Sequence, residues 1–185
     1  MDVRDFHKDF LEEIKATAAT EGAGSNAAFV NIATSYLVNA EVLSDFTPAF
    51  YLGTGKNNRK IRVDGYVLDE FDLTFNLVIA DYTGDEERET ITKTAALAHF
   101  DRLLYFIEEV YDGKLRREVE PSTPASDLVE TLVLHKERIR KFRLILITDG
   151  FMSNRISEMD PDTFKNIPVE KQIWDIYAGN ARVQR

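Results

Sequence analysis

The sequence contains no cysteine, fewer basic than acidic residues (23 against 32) and no long apolar run. Without cysteine, the chain has no disulfide, no thiolate zinc site and no cysteine nucleophile. Its longest apolar runs fall short of the roughly 20 residues that a membrane-spanning helix needs. The polar start, MDVRDFHKDF, is unlike a signal peptide. A net charge of −9 argues against broad, nonspecific attraction to nucleic acid or anionic membranes. We therefore expect a cytoplasmic protein without a membrane partner.

The composition is ordinary for a folded domain, with 44% hydrophobic and 30% charged residues in a chain of 185. This length is enough for one domain with a sizeable core, so residues 1–185 are interpreted as a single domain. The last predicted helix, 175–185, has no stop signal. We therefore expect the chain to be the front part of a longer protein whose C-terminal region is missing here.

Apolar periodicity predicts a mixed α/β fold, in which helices flank a central mixed sheet with an antiparallel three-strand meander. Apolar residues four apart indicate a first helix at 2–21, a second that ends at about Asn39 and a third at about 92–110. A fourth helix begins at Pro124 or Ser126. Strands are predicted at 49–52, 61–68, 75–82, 142–148 and 167–177. The strands 61–68 and 75–82 are expected to pair as a hairpin.

The central hairpin carries one aspartate in each apolar run, Asp64 and Asp81. With a loop at 71–74, the pairing places Asp64 directly opposite Asp81, with Cβ atoms roughly 5 Å apart. A register shift of one residue would put them on opposite faces, and a shift of two would keep them diagonal on one face. Two like charges in a buried hairpin require a compensating group.

A divalent cation, Mg²⁺ or Mn²⁺, is one such group, because these hard ions prefer oxygen ligands. An ion between Asp64 and Asp81 would polarise a phosphoryl oxygen and activate a water. Alternatively, the aspartates flank solvent at strand ends or pair with a neighbouring arginine or lysine.

Three further residues are candidates for the same site. Arg62 has the strand parity of Asp64 and would steady a scissile phosphate, or form a plain ion pair. Lys93 opens the third helix close in sequence to Asp81, and its alternative is a solvated helix start. Glu41, at the end of the second helix, would add a third carboxylate to the metal site, and its alternative is an exposed terminal residue.

Other motifs carry weaker signals. GTGKNN (53–58) lacks the full spacing of a phosphate-binding loop. Asp149, after a strand buried on both faces, is placed where α/β proteins often hold functional groups, although an Asp-Gly turn explains it equally well. The three histidines show no ligand spacing. Two basic segments, 56–60 and 136–143, would contact a phosphate backbone or simply be solvated.

Several segments together resemble one protein family. FHKDFLEEI, VDGYVLDE, NLVIADY, TITKT, LILITDG and QIWDIY occur in the order found in the N-terminal region of the abortive infection phage resistance (AIPR) proteins. The resemblance runs from Phe6 to Tyr177. It implies a bacterial phage-defence protein with a larger C-terminal region.

The order of elements also resembles the restriction-endonuclease-like fold with its PD-(D/E)xK nuclease site. By that likeness Asp64 and Asp81 are metal ligands, and Glu41 corresponds to a helix glutamate. Val63 stands where the motif has proline, and Thr83 stands where it has lysine. Lys93 or Arg62 would have to supply the missing positive charge.

Two functions follow from this resemblance. The first is a Mg²⁺- or Mn²⁺-dependent nuclease that hydrolyses DNA or RNA. The second is a catalytically inactive nuclease-fold module, which either forms a homo-oligomer or senses a phage component.

Overall fold

The computed structural model of the chain describes residues 3–88, 90–152 and 159–175. The helices within these ranges are α1 Val3–Glu21, α2 Ser25–Asn39, α3 Lys93–Tyr111, α4 Lys114–Glu118 and α5 Pro124–His135. The strands are β1 Thr47–Thr54, β2 Lys60–Asp69, β3 Thr74–Asp81, β4 Thr90–Ile91, β5 Lys141–Thr148, β6 Phe151–Met152, β7 Asp162–Phe164 and β8 Ile167–Asp175.

Six of the strands form one mixed sheet in the order β1-β2-β3-β5-β8-β7. The first three strands are antiparallel neighbours, and β3, β5 and β8 run parallel to one another. The strands β4 and β6 form a separate parallel pair. The predicted mixed α/β fold, a mixed sheet with an antiparallel three-strand meander flanked by helices, is confirmed, and the meander forms one half of the sheet with β1 at its edge.

Most predicted helices are confirmed, and local capping explains where they begin. The hydroxyl of Thr92 accepts the N–H of Ala95 at the start of α3, and the hydroxyl of Thr123 accepts that of Ser126 at the start of α5. The short helix α4 was not predicted from the sequence. The predicted closing helix, 175–185, lies outside the described residues apart from its first residue. None of the described helices is both long and apolar enough to span a membrane.

Helices cover the sheet on both faces. On one face, α1 and α2 pack in a cluster that includes Val78 and Ala80 of β3. On the other, α3 and α5 pack in a cluster that includes Leu77 and Ile79 of the same strand. Even and odd residues of β3 therefore face different helices, because successive side chains of a strand point to opposite faces.

The turn between β2 and β3 lies one residue earlier than predicted. Asp69 pairs with Thr74, so the connection is 70–73. The carboxylate of Asp72 accepts the backbone N–H of Thr74 at 3.0 Å, which fixes the end of the turn. Moving a turn by one residue shifts the pairing of its two strands by two.

The prediction that Asp64 lies directly opposite Asp81 is therefore wrong. Gly65 pairs with Val78, and the regular pairing stops there, because the carboxylate of Asp64 accepts the N–H of Ala80. Val63 and Tyr66, three residues apart, lie in the same helix cluster, so the side-chain alternation of β2 is interrupted at Asp64 and Gly65. The sequence alone does not decide between two turn positions that differ by one residue in an acidic, turn-forming segment.

Gly65 is required where β1 crosses close to β2. A Cβ atom at this position would lie 2.6 Å from the backbone oxygen of Thr47 and 2.3 Å from the ring of Phe46. Because neighbouring backbone cannot move away as a flexible side chain does, only glycine fits without a shift of the strand.

We predict that Gly65→Ala lowers the free energy of unfolding by about 1–3 kcal/mol, since the added methyl group overpacks the strand contact. Urea denaturation followed by circular dichroism measures the change. Gly24→Ser is the matched control and should not destabilise the protein. A Cβ at Gly24 meets no atom within 4 Å, and serine is a favoured N-cap residue, the position that Gly24 holds before α2. A Gly65→Ala protein as stable as the parent would contradict the close strand contact.

Candidate functional site

Asp64 lies at the end of the β2–β3 pairing, where its carboxylate takes the place of a backbone partner. One oxygen, Oδ2, accepts the N–H of Ala80 at 2.8 Å. The other, Oδ1, accepts from Asn26 Nδ2 of α2 and from Arg62 Nη2, each at 3.1 Å. The residue is only 4% exposed. Both oxygens therefore have protein donors, which offset the cost of burying the charge.

Arg62 is the cation that pairs with Asp64. Its Nη2 also donates to Asn26 Oδ1 at 3.1 Å, so the three side chains form one small network. The guanidinium carbon lies 5.8 Å from the ring centroid of Phe50. Among the described residues, its buried Nε has no hydrogen-bond partner. These contacts fit the structural ion pair that was the alternative to a phosphate-binding role.

Asp81, the last residue of β3, is bonded to a different set of groups. Its Oδ2 accepts from Arg88 Nη2 and, at 3.4 Å, from Thr148 Oγ1. Its Oδ1 lies 3.5 Å from His99 Nε2 on α3. Arg88 Nη1 also donates to the backbone oxygen of Asp81 at 2.8 Å. The arginine therefore ties its own loop to the end of the strand.

Arg88 also pairs with a second carboxylate, that of Asp149. Asp149 is 0% exposed and accepts the backbone N–H of Thr83 at 3.0 Å and that of Gly84 at 2.7 Å. Because β3 and β5 are parallel neighbours, their carboxyl ends bring Asp81 and Asp149 to the same edge of the sheet. We call this set the Arg88 network; its members are Asp81, Arg88, His99, Thr148 and Asp149.

Asp64 and Asp81 contact helices on opposite sides of the sheet. Asp64 meets α2 through Asn26, whereas Asp81 meets α3 through His99. The strand pattern agrees, because Asp81 has the parity of Ile79, which faces α3. A divalent ion needs its oxygen ligands within about 2.0–2.6 Å. The arrangement therefore does not fit Mg²⁺ or Mn²⁺ held between the two carboxylates.

Of the other two candidates, Glu41 is not brought to Asp64. Glu41 is exposed just after the end of α2, whereas Asn26, which contacts Asp64, lies at the start of that helix. A helix of this length separates them by about 20 Å. Lys93, the first residue of α3, is exposed. Over the described part of the chain, no three or more histidine, aspartate or glutamate residues form a group that could hold a metal ion.

The Arg88 network lowers the pKa of the Asp81 carboxyl. Burial acts in the opposite direction and alone would raise this pKa. The hydrogen bond from His99 and the positive charge of Arg88 outweigh burial and favour the ionised form. Asp81 is therefore a stable anion at neutral pH.

The fold and the sites can be compared with known proteins. The family model for the abortive infection phage resistance protein N-terminal domain matches residues 29–178. The chain belongs to this family. The matched range begins in α2 and includes every strand of the six-stranded sheet. No curated protein and no solved structure matched the chain. Membership of the AIPR N-terminal domain family suggests a role in phage resistance.

Sequence reasoning missed most of the contacts made by the Arg88 network in this AIPR domain. Arg88 lies in TGDEERET (83–90), which reads as a solvated acidic loop, and His99 showed no ligand spacing. The available signal was the pair of aspartates that follow two apolar strands, Asp81 and Asp149. Their meeting depends on parallel pairing of the two strands, which the local sequence does not encode.

We predict that Arg88→Gln lowers the free energy of unfolding by about 3 kcal/mol, because it leaves two carboxylates without their shared cation. Urea denaturation at pH 7 measures the loss. Arg116→Gln is the matched control, since it removes an arginine from an exposed pair with Glu130 and should change stability little. Equal stability of the two variants would contradict a structural role for Arg88.

We predict that Asp81→Asn is less stable than the parent between about pH 5 and pH 8, and that the difference shrinks below about pH 4. The sign follows from the lowered pKa of Asp81: its stabilisation is present above the unfolded-state pKa and is lost as pH falls through the folded-state pKa. Thermal melts at several pH values test it, with Asp101→Asn, exposed on α3, as the control. An Asp81→Asn protein that is more stable at pH 7 would contradict the prediction.

Proposed function

We propose that this AIPR N-terminal domain acts in phage resistance as a non-hydrolytic assembly module built on a nuclease-like scaffold. The observation that carries the proposal is the different surroundings of Asp64 and Asp81. Each carboxylate has its own arginine, Arg62 or Arg88, and each faces a different helix layer. Their charges are compensated by the protein rather than by a shared ion.

The likeness to the restriction-endonuclease-like fold supports the scaffold part of the proposal. Apart from the short elements β4 and α4, the order α2, β1, β2, β3, α3, α5 and β5 is a helix, an antiparallel meander, two helices and a parallel strand. This is the arrangement from which that likeness was drawn. We infer that the domain keeps this architecture as a rigid frame.

The competing function is metal-dependent hydrolysis of DNA or RNA, with Asp64 and Asp81 as ligands. It needs a cation where Thr83 stands, and the backbone N–H and hydroxyl of Thr83 are bonded to Asp149. Arg62, one proposed substitute, is engaged with Asp64. The nuclease would therefore require a rearrangement of both networks before it could act.

A comparison of protection and stability tests the proposal. The protein that carries this domain is expressed in bacteria, and phage plating efficiency is measured for the parent, Asp64→Asn and Val78→Ala. Val78 is fully buried in the same helix layer, so Val78→Ala destabilises the fold without touching a carboxylate. If Asp64 is structural, the two variants lose protection in proportion to their lost melting temperature.

The same proteins are incubated with single- and double-stranded DNA and RNA in Mg²⁺ or Mn²⁺. We expect no cleavage by the domain and no metal-dependent rise in its melting temperature. The proposal is overturned if the parent cleaves and Asp64→Asn abolishes cleavage while keeping parental stability.

A further inference from the structure

We propose that the free edge of β1 is a homodimer interface, at which two copies of this chain pair their β1 strands antiparallel. The strand lies at the end of the six-stranded sheet and pairs only with β2 among the described strands. Pairing with a second copy would join the two sheets into one continuous sheet. The inference rests on the proposed assembly role and names the surface through which the domain would assemble.

The outward surface of β1 is apolar. Phe50 is 57% exposed and Leu52 is 63% exposed, and they alternate with less exposed residues along the strand. Over the described residues, only four large hydrophobic side chains are this exposed, and these two are neighbours on one strand; the others are Phe71 and Leu134. An uncovered apolar edge of this kind favours pairing with another strand.

The backbone of β1 has bonding groups directed towards the free edge. The N–H of Gly55 donates to the oxygen of Arg59, so the pair that they form is hydrogen-bonded. Because such pairs alternate along an antiparallel ladder, the backbone groups of Thr54 and Leu52 point away from β2. Pro48 and a register irregularity interrupt only the first half of the strand. The regular half is available for pairing.

The distribution of charge along and beside β1 favours a second copy of this chain as the partner. The strand, TPAFYLGT, has no charged residue, so a second copy brings no like charges face to face across the pairing. The flanks are complementary: exposed Asp45 precedes the strand, and exposed Lys56 and Lys60 follow it. Antiparallel pairing places the acidic flank of one copy beside the basic flank of the other.

The position of the two-fold axis can also be inferred. An axis at Leu52 pairs this residue with itself and Phe50 with Thr54 of the second copy, and it keeps Pro48 outside the paired segment. It also directs the loop that carries Lys56 towards a groove of about 300 Å³ on the other copy, between α2 and the start of β1, which Asp45 lines. A two-fold interface must be self-complementary in this way.

Sedimentation velocity over a wide protein concentration range tests the dimer. We expect the parent to form a dimer, and Leu52→Lys to raise its dissociation constant about tenfold or more, because two lysines would face each other and an apolar contact would be lost. Leu134→Lys, on α5, is the matched control: Leu134 is 77% exposed, and its replacement should leave the constant unchanged. Thermal melts check that both variants fold.

A cross-linking experiment tests the axis independently. Because the chain has no cysteine, Leu52→Cys introduces a single thiol, and its two copies would lie within disulfide reach across the axis. Mild oxidation should give a covalent dimer at concentrations where Leu134→Cys stays monomeric. A parent that is monomeric throughout, together with no preferential cross-linking at position 52, overturns the interface. Such a result leaves the non-hydrolytic proposal intact, because metal-dependent cleavage alone decides that.

Discussion

The pairing of β2 with β3 determines the surroundings of both central aspartates. The turn at 70–73 sets a register in which the carboxylate of Asp64 reaches the N–H of Ala80. From there Asp64 bonds to Asn26 and Arg62 on the α2 side. Side-chain alternation then directs Asp81 to the α3 side. The interruption of β2 at Asp64 and Gly65, and not the turn position alone, therefore puts the two carboxylates on opposite faces, because a two-residue shift by itself would keep them on one face.

The second organising contact is the bridge that Arg88 makes between β3 and β5. One guanidinium joins Asp81 and Asp149, and Asp149 also accepts the backbone N–H groups of Thr83 and Gly84. This holds the loop after β3 against the carboxyl edge of the sheet. In many α/β proteins that edge carries the functional groups. Here the buried groups at that edge bond to one another.

The fold was largely predictable from the sequence, because periodic apolar positions mark α1, α3 and β5 directly. The candidate site was less predictable. Which groups meet Asp64 and Asp81 depends on the interruption of β2 at Asp64 and Gly65 and on the parallel pairing of β3 with β5, and both are decided by tertiary packing. The distance of Glu41 from Asp64 has a similar origin, since the direction of α2 across the sheet is not encoded locally.

These contacts describe an AIPR N-terminal domain whose central carboxylates stabilise the fold, and a crystal structure of the protein grown with Mn²⁺ tests this account most directly. The account predicts no anomalous peak shared by Asp64 and Asp81, with the Asp64 carboxylate still bonded to the N–H of Ala80. An ion coordinated by both carboxylates would contradict it.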